Sequence, residues 1–153
     1  MAQISFSIVV VCLNPGEKLL KTVQSVLNQK YGNYEIVVKD GGSTDGSLEQ
    51  LPADSRIRVY TRPDSGIYDA MNQAMSYVTG QFVQFLNCGD LLHDDMVLER
   101  LAAVMERKRS RGADGEGLGH KEKERIFYGN QYHEAWGSVI YSCLLYTSPS
   151  PRD

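Results

Sequence analysis

The chain has 153 residues, of which 42% are hydrophobic, 23% charged and 9% aromatic. This length suits one domain, and the ordinary composition excludes a collagen-like fibre, wholesale disorder and a disulfide scaffold. The formal net charge of −3 leaves no electrostatic footprint for nucleic acid, so we expect no nucleic-acid partner.

Strand-like and helix-like segments alternate along the first two thirds of the chain. Residues 5–12 are apolar without alternation, as expected of a strand that is covered on both faces. A helix should follow, with Asn14 as its N-cap and an apolar stripe over residues 19–27. The same criteria predict strands over 34–39, 57–61 and 81–86, and helices over 43–51, 65–78 (closed by Gly80) and 94–107.

This alternation predicts an α/β fold with a mostly parallel sheet, right-handed crossovers and helices on both faces. The pattern breaks in the charged stretch 106–125, which we interpret as a surface loop. A basic patch for acidic lipid is the alternative, but acids interleave with the bases. The predicted organisation is an αβ domain over 1–107, a charged flexible loop over 108–124, a further strand and turn over 125–141, and a disordered tail over 142–153.

The cysteines and the apolar runs bear on location. The three cysteines are widely spaced and form no Cys-x-x-Cys pair, which is typical of reduced thiols in a cytoplasmic protein. The longest apolar run, residues 8–13, is too short to cross a bilayer and lacks the flanks of a secretory signal. We therefore predict a cytoplasmic protein whose association with the inner face of the cell membrane is at most peripheral.

Polar side chains follow three of the predicted strands. Asn14 follows the first strand, Asp40 the second, and residues 87–90 (Asn-Cys-Gly-Asp) the fourth. In an open α/β sheet, ligands bind beyond the carboxyl ends of the strands, where the strand order reverses. Acidic and amide groups gathered at this edge predict a site for a polar ligand or a metal.

The segment 40–46 (Asp-Gly-Gly-Ser-Thr-Asp-Gly) is the most informative of these. Gly41 and Gly42 allow a sharp turn and a close approach of the backbone to a ligand. The Asp40 carboxylate could accept from a base N–H or a ribose hydroxyl, and the simpler alternative is that it caps its own turn. An EF-hand and a phosphate-binding P-loop are excluded, because the required glycine, glutamate and Gly-Lys-Ser/Thr positions are not filled.

Three further positions are candidates. Asp90 follows an apolar strand beside a glycine, where a carboxylate can hold Mg²⁺ or Mn²⁺ on a diphosphate; the alternative is a cap of the next helix. Asp69 and Asn72 share a helix face at i, i+3 spacing, which is more often simply solvated.

Four segments, in this order and spacing, resemble the family 2 glycosyltransferases: 7–14 (SIVVVCLN), 36–47 (IVVKDGGSTDGS), 62–75 (RPDSGIYDAMNQAM) and 82–90 (FVQFLNCGD). The likeness covers about residues 5–100 and is greatest to the bacterial exopolysaccharide and colanic-acid-type branch. It implies the GT-A (Rossmann-like) fold and transfer of a sugar from a nucleotide donor, UDP- or GDP-linked, with inversion. It also implies Mg²⁺ or Mn²⁺ as cofactor, and a polysaccharide or lipid-linked saccharide as acceptor.

The resemblance assigns roles by position. It implies that Asn14 lies beside the nucleotide, that Asp40 accepts from the base, and that Asp90 holds the metal. Where many relatives have an aspartate-rich metal motif, this chain has Asn87 and Gly89, which leaves one carboxylate and implies weak metal dependence. The implied donor-binding residues are Asn14, Asp40, Gly41, Gly42, Asp69, Asn72 and Asn87.

No catalytic base can be assigned. His93, the nearest conventional candidate, stands at a predicted helix start and is interpreted as a surface histidine. The family pattern is expected to stop at about Trp136, so the chain is interpreted as a C-terminally truncated, donor-binding half. The alternative is a non-catalytic fragment that at most binds nucleotide. A phosphorelay receiver lacks its acidic pair after the first strand, and a nucleotidyltransferase lacks its basic, glycine-rich loop there.

Overall fold

The computed structural model of the chain describes residues 3–111, 126–133 and 138–147. A short 3₁₀ turn covers Leu48–Gln50. The strands are β1 (Phe6–Cys12), β2 (Tyr34–Asp40), β3 (Ile57–Thr61), β4 (Phe82–Phe85), β5 (Ile126–His133) and β6 (Ser138–Thr147), and the helices are α1 (Glu17–Leu27), α2 (Ile67–Ala74) and α3 (Val97–Arg111).

The strands form one sheet in the order β3-β2-β1-β4-β6-β5. The first four strands are parallel, whereas β6 runs antiparallel to β4 and β5 antiparallel to β6. The chain adds β2 and β3 on one side of β1 and then crosses to the other side to form β4. The strand order therefore reverses between β1 and β4, which is where ligands bind in such sheets.

The core explains why β1 shows no polar alternation. All seven of its residues are buried, because helices cover both faces of the sheet. Ile8 and Val10 pack in a cluster with side chains of α1 and α3, while Val9 and Val11 pack with Ala70 of α2. Burying one such branched side chain fully stabilises the fold by roughly 1.5–3 kcal/mol. The predicted α/β fold, with a mostly parallel sheet and helices on both faces, is confirmed.

Two helix predictions need correction near the carboxyl edge of the sheet. The helix predicted over 43–51 is only the 3₁₀ turn, because side chains engage the backbone of this loop: Asp45, for example, accepts from both the N–H and the hydroxyl of Ser47. Asn14 is not the N-cap of α1. The cap is Gly16, two residues later, and Asn14 instead has φ 46°.

The second helix is also shorter than its apolar stripe predicted. It spans Ile67–Ala74 instead of 65–78, and tight turns follow, with the N–H of Tyr77 bonded to the carbonyl of Ala74. Gly80 is not a helix cap. It lies against β1, where a Cβ would come within 2.7 Å of the carbonyl carbon of Phe6 and of the Ser7 nitrogen. This glycine therefore allows two backbones to meet.

The C-terminal predictions differ from the structure in two places. Helix α3 continues through Arg111, so the prediction of a loop from 108 is wrong as far as Arg111. Basic residues there favour the negative end of the helix dipole. The tail predicted as disordered from 142 is wrong as far as Thr147, since β6 pairs with β5 along its length and includes several apolar and aromatic strand formers. Residues 112–125, 134–137 and 148–153, which hold the rest of both predictions, lie outside the described residues.

Membrane-spanning character is a separate question. Within the described part of the chain, no helix combines the length and the apolar character that crossing a bilayer requires.

Candidate functional site

Asp40, at the end of β2, is the most buried of the predicted site residues. Its side chain is fully buried, and its two oxygens accept bonds from the Gly42 N–H (3.1 Å), the Ser43 N–H (3.0 Å) and the Ser43 hydroxyl (2.5 Å). Burial raises the pKa of Asp40, but the bonds from Ser43 and Gly42 outweigh it and hold the pKa below its ordinary value. The carboxylate is therefore ionised, and it shapes the loop from within.

This geometry bears on two predictions. Gly42 has φ 112°, a conformation that glycine adopts without strain, so its N–H can turn back to Asp40. The structure thus supports the simpler alternative, in which Asp40 caps its own turn. Contact of Asp40 with a base stays a prediction, and it would require the loop to open.

Asn14 joins the loop after β1 to the loop after β2. Its backbone N–H donates to the Ser43 hydroxyl (2.7 Å), and its Oδ1 accepts from the Thr44 N–H (2.8 Å). Nearby, the Gly16 N–H donates to Asp45 Oδ2 (2.8 Å). Three hydrogen bonds therefore fix the two loops to each other at the predicted site. The roles of Ser43, Thr44 and Asp45 were missed by sequence analysis, although these residues belong to the motif that it singled out.

A buried ion pair below these loops was also missed. The Lys39 side chain is completely buried, and its Nζ lies 2.9 Å from Asp64 Oδ2, 2.6 Å from the Arg62 carbonyl and 3.1 Å from the Asp40 carbonyl. Asp64 also accepts from the Gly66 N–H (3.2 Å). A lysine directly after the buried apolar run 36–38 was the signal that could have revealed this pair.

Asp69 and Asn72, both on α2, differ in their surroundings. Asp69 Oδ2 accepts from the Ser65 N–H (2.9 Å) and from Gln73 Nε2 (3.1 Å), so this carboxylate caps the start of its own helix. The bond from Ser65 is the main cause of a lowered pKa for Asp69. The Asn72 side chain is exposed. Of the two, Asn72 is the more accessible to a ligand.

Residues 87–90 form a tight turn after β4, in which the Asp90 N–H donates to the Asn87 carbonyl (2.9 Å). The turn lies against α1, because the Gly89 N–H donates to Thr22 Oγ1 (2.8 Å) and the Lys18 stem packs over Gly89. Asn87 is exposed and Asp90 half-buried. The turn thus presents one carboxylate and one amide at the edge where the strand order reverses.

A thiol lies between the ends of these strands. Cys12 Sγ is 3.8 Å from Asp40 Oδ1, and burial, followed by the negative charge of Asp40, raises the Cys12 pKa to about 12. Such a thiol stays protonated and unreactive at neutral pH. Cys12 and Cys88 are free thiols, and the reduced state of all three cysteines stays a prediction.

Large apolar side chains are exposed around the same edge. Leu13 is 61% and Tyr68 79% exposed, and Ile67 and Leu91 are about half exposed. Leu13 lies over the Cα of Gly41, where it would be 3.5 Å from an added Cβ. The edge therefore offers an apolar rim around backbone, amide and carboxylate groups, a combination that suits an amphipathic organic ligand.

The donor set for a metal is small. Among the described residues, no three His, Cys, Asp or Glu side chains come together as a metal cluster. A single carboxylate such as Asp90 suits Mg²⁺ or Mn²⁺ only when phosphate oxygens and water supply the other ligands. The residues present therefore fit a metal ion that a bound diphosphate also coordinates.

Comparison with known proteins agrees with this picture. A family model described as glycosyl transferase family 2 matches residues 7–146, so the prediction that the family pattern stops at about Trp136 is wrong. A PGL/p-HBAD biosynthesis glycosyltransferase of Mycobacterium tuberculosis is 35% identical over 110 residues, which make up 69% of this chain and 43% of that protein.

Solved structures share the fold. TarS of S. aureus (residues 1–349, in complex with UDP-GlcNAc) superposes with a TM-score of 0.62 at 20% identity, over 80% of this chain and 39% of the TarS chain. The mannosyltransferase PcManGT from Pyrobaculum calidifontis, in complex with GDP-Man and Mn²⁺, superposes with a TM-score of 0.59 at 21% identity. The match covers 68% of this chain and 32% of the PcManGT chain. The predicted GT-A fold is confirmed, and the chain spans less than half the length of each of these proteins.

Proposed function

Because this chain belongs to glycosyl transferase family 2, we propose that it binds a nucleotide sugar at the carboxyl edge of its sheet as the donor-binding part of a glycosyltransferase. The donor is a UDP- or GDP-sugar, and the acceptor a polysaccharide or lipid-linked saccharide of the cell surface, as in the exopolysaccharide and colanic-acid-type branch. The sugar is transferred with inversion, which takes one displacement at the anomeric carbon.

The observation that carries this proposal is the pair of loops joined through Asn14. The loops after β1 and β2 are fixed by three hydrogen bonds beside the point where the strand order reverses. In that position, the apolar rim can receive a base, while Asn72 and Asn87 lie within segments proposed for the diphosphate and the sugar. UDP-GlcNAc and GDP-Man in the two structural neighbours support a nucleotide sugar as ligand.

Asp90 is the residue proposed to hold Mg²⁺ or Mn²⁺. When bound there with the donor, the ion would neutralise the charge of the departing diphosphate. The chain itself contributes the turn 87–90, which is held against α1 through Gly89 and Thr22 and so keeps the Asp90 carboxylate at the edge of the sheet. The Mn²⁺ in the mannosyltransferase neighbour supports this cofactor.

Calorimetric titration with UDP and with GDP, each with and without Mn²⁺, tests the proposal. We expect saturable binding of one nucleotide by the purified 153-residue chain, with higher affinity when Mn²⁺ is present. ADP, a diphosphate whose base presents a different hydrogen-bonding edge, is the matched control. If neither UDP nor GDP gives saturable heats of binding, a nucleotide-sugar site is excluded.

Replacing Asp90 with alanine should chiefly remove the metal dependence. We expect the variant to bind UDP or GDP with the affinity that the unchanged chain shows without Mn²⁺, and to gain less than twofold on addition of Mn²⁺. Asp95→Ala, which removes an exposed carboxylate a few residues further on, is the control. An Asp90→Ala variant that responds to Mn²⁺ as strongly as the unchanged chain would assign the metal to other residues.

Nucleotide binding without transfer is the second candidate function. It is favoured by the carboxylates in and beside the β2 loop, since those of Asp40, Asp64 and Asp69 are each engaged in bonds within the protein. A general base must accept a proton from the acceptor hydroxyl, which requires a carboxylate that the acceptor can reach. Transfer from UDP-glucose or GDP-mannose by the chain would decide against this candidate.

The proposed location follows from the substrates. A protein that takes a nucleotide sugar and a lipid-linked acceptor would work in the cytoplasm, at most attached peripherally to the inner face of the cell membrane.

A further inference from the structure

Lys39 occupies a position where a charged side chain is costly. It is the sixth residue of β2, with no exposed surface, and its neighbours Val37 and Val38 are equally buried. Removing an ammonium group from water costs several kcal/mol even after relaxation of the protein, so it requires close acceptors. Three oxygens, from Arg62, Asp64 and Asp40, lie within 3.1 Å of its Nζ.

These acceptors belong to two different parts of the proposed donor site. The Asp40 carbonyl is at the start of the loop that contains Gly41 and Gly42. Arg62 and Asp64 belong to the segment after β3, which leads into α2. Asp64 also contacts the start of α2: its other oxygen accepts from the N–H of Gly66, which is the N-cap of α2. One buried cation therefore joins the β2 loop to the beginning of α2.

The fit between these segments is close. A Cβ on Gly41 would come within 3.0 Å of Asp64 Oδ2, so the ion pair holds Asp64 directly against the loop backbone. Stability alone does not account for the pair, since apolar residues of similar volume often stabilise a core as well as a buried ion pair does.

We propose that Lys39 is a positioning residue that, through its ion pair with Asp64, holds the start of α2 at a fixed distance from the Asp40–Ser43 loop. The inference rests on the proposed function: the loop would receive the nucleoside, and the α2 segment with Asn72 would receive the diphosphate. Without Lys39, each segment can still form, but the two are no longer held in the register that one ligand needs to touch both.

The test compares two ligands that reach different distances into the site. Affinities for UMP and UDP, and for GMP and GDP, are measured in Mn²⁺ for the unchanged chain, for Lys39→Met and for Asp64→Asn. We expect Lys39→Met to weaken diphosphate binding at least tenfold and monophosphate binding less than threefold. Asp64→Asn keeps the shape of the side chain and should give an intermediate loss with the same selectivity.

The selectivity distinguishes positioning from a general loss of structure. A purely structural role would lower the fraction of folded chain and reduce both affinities by the same factor. Because Lys39→Met alone leaves the Asp64 charge buried, the double variant Lys39→Met/Asp64→Leu removes both charges and should fold while showing the same selective loss. Arg58→Met, which breaks the Glu35–Arg58 ion pair nearer the other end of the sheet, should leave both affinities unchanged.

The outcomes are separable. Equal losses for monophosphate and diphosphate, or no loss in the folded double variant, would overturn the positioning role of Lys39 while leaving the proposed function intact. An unchanged chain that binds none of the four nucleotides would overturn the proposed function, and this inference with it.

Discussion

Replacing Asp40 with alanine should abolish nucleotide binding, even though this carboxylate is buried. The carboxylate accepts the N–H groups of Gly42 and Ser43 and the Ser43 hydroxyl. Without it, these donors lose their partner, at a cost of about 1–3 kcal/mol for each one that stays buried. Ser43 also accepts the Asn14 N–H, so the loop after β1 would lose its support too. We expect UDP or GDP affinity to fall at least a hundredfold.

The measurement is a calorimetric titration, together with a thermal melt of the same sample. Asp40→Asn keeps the shape and one acceptor oxygen, so it should lose less affinity than the alanine variant. Asp45→Ala is the matched control in the same loop: it removes an exposed carboxylate that bonds the Gly16 N–H and Ser47, and should cost only a few-fold in affinity. Unchanged nucleotide affinity of a folded Asp40→Ala chain would show that the loop after β2 binds the ligand without the Asp40 carboxylate.

Replacing Gly80 with alanine should be the most destabilising single-methyl change in the described part of the chain. The added Cβ would lie 2.7 Å from backbone atoms of Phe6 and Ser7, and 2.8 Å from Ser7 Oγ. Neither backbone can yield easily, since β1 pairs with strands on both sides and is buried on both faces. Overpacking usually costs about 1–3 kcal/mol, and a backbone clash in the central strand should cost 3 kcal/mol or more.

Urea unfolding, monitored by circular dichroism, gives the change in the free energy of unfolding. Gly32→Ala is the control, because a Cβ there meets nothing within 4 Å and the backbone is not in the left-handed region. We expect Gly32→Ala to change stability by less than about 1 kcal/mol. Equal stabilities for the two variants would mean that β1 and the segment before β4 can move apart freely.

The parallel strands of the sheet were predictable because their local composition is typical of buried strands, whereas β6 was not predicted. Residues 57–61 were predicted as a strand and form β3 with those bounds, and β1 and β2 differ from prediction by one residue each. Apolar β-branched runs bounded by turn residues are sufficient for such predictions. The switch of strand order beside β1 was also foreseeable, since βα alternation allows few topologies.

The candidate site was less predictable, because its bonds join residues far apart in the chain. Asn14 was read as a helix cap, whereas its side chain caps a loop 30 residues later. Gly80 follows a helical stripe and so resembles a C-cap, yet its contacts are with β1, and Ser7 there is 73 residues earlier in the chain. Lys39 looked like one more residue of a strand end. Tertiary partners decide each of these roles, and a local pattern does not contain them.

The central position of β1 has a consequence for how this chain folds as it is synthesised. β2 and β3 emerge soon after β1 and can pair on one of its sides, but its other partner, β4, begins only at Phe82. At roughly 5–20 residues per second, this edge of β1 stays unpaired for several seconds before that partner is synthesised. Pairings of this sequence separation form slowly, and an open edge invites association with other chains. The architecture that places the loops of the site together therefore leaves one edge of β1 unpaired in the nascent chain until β4 has been synthesised.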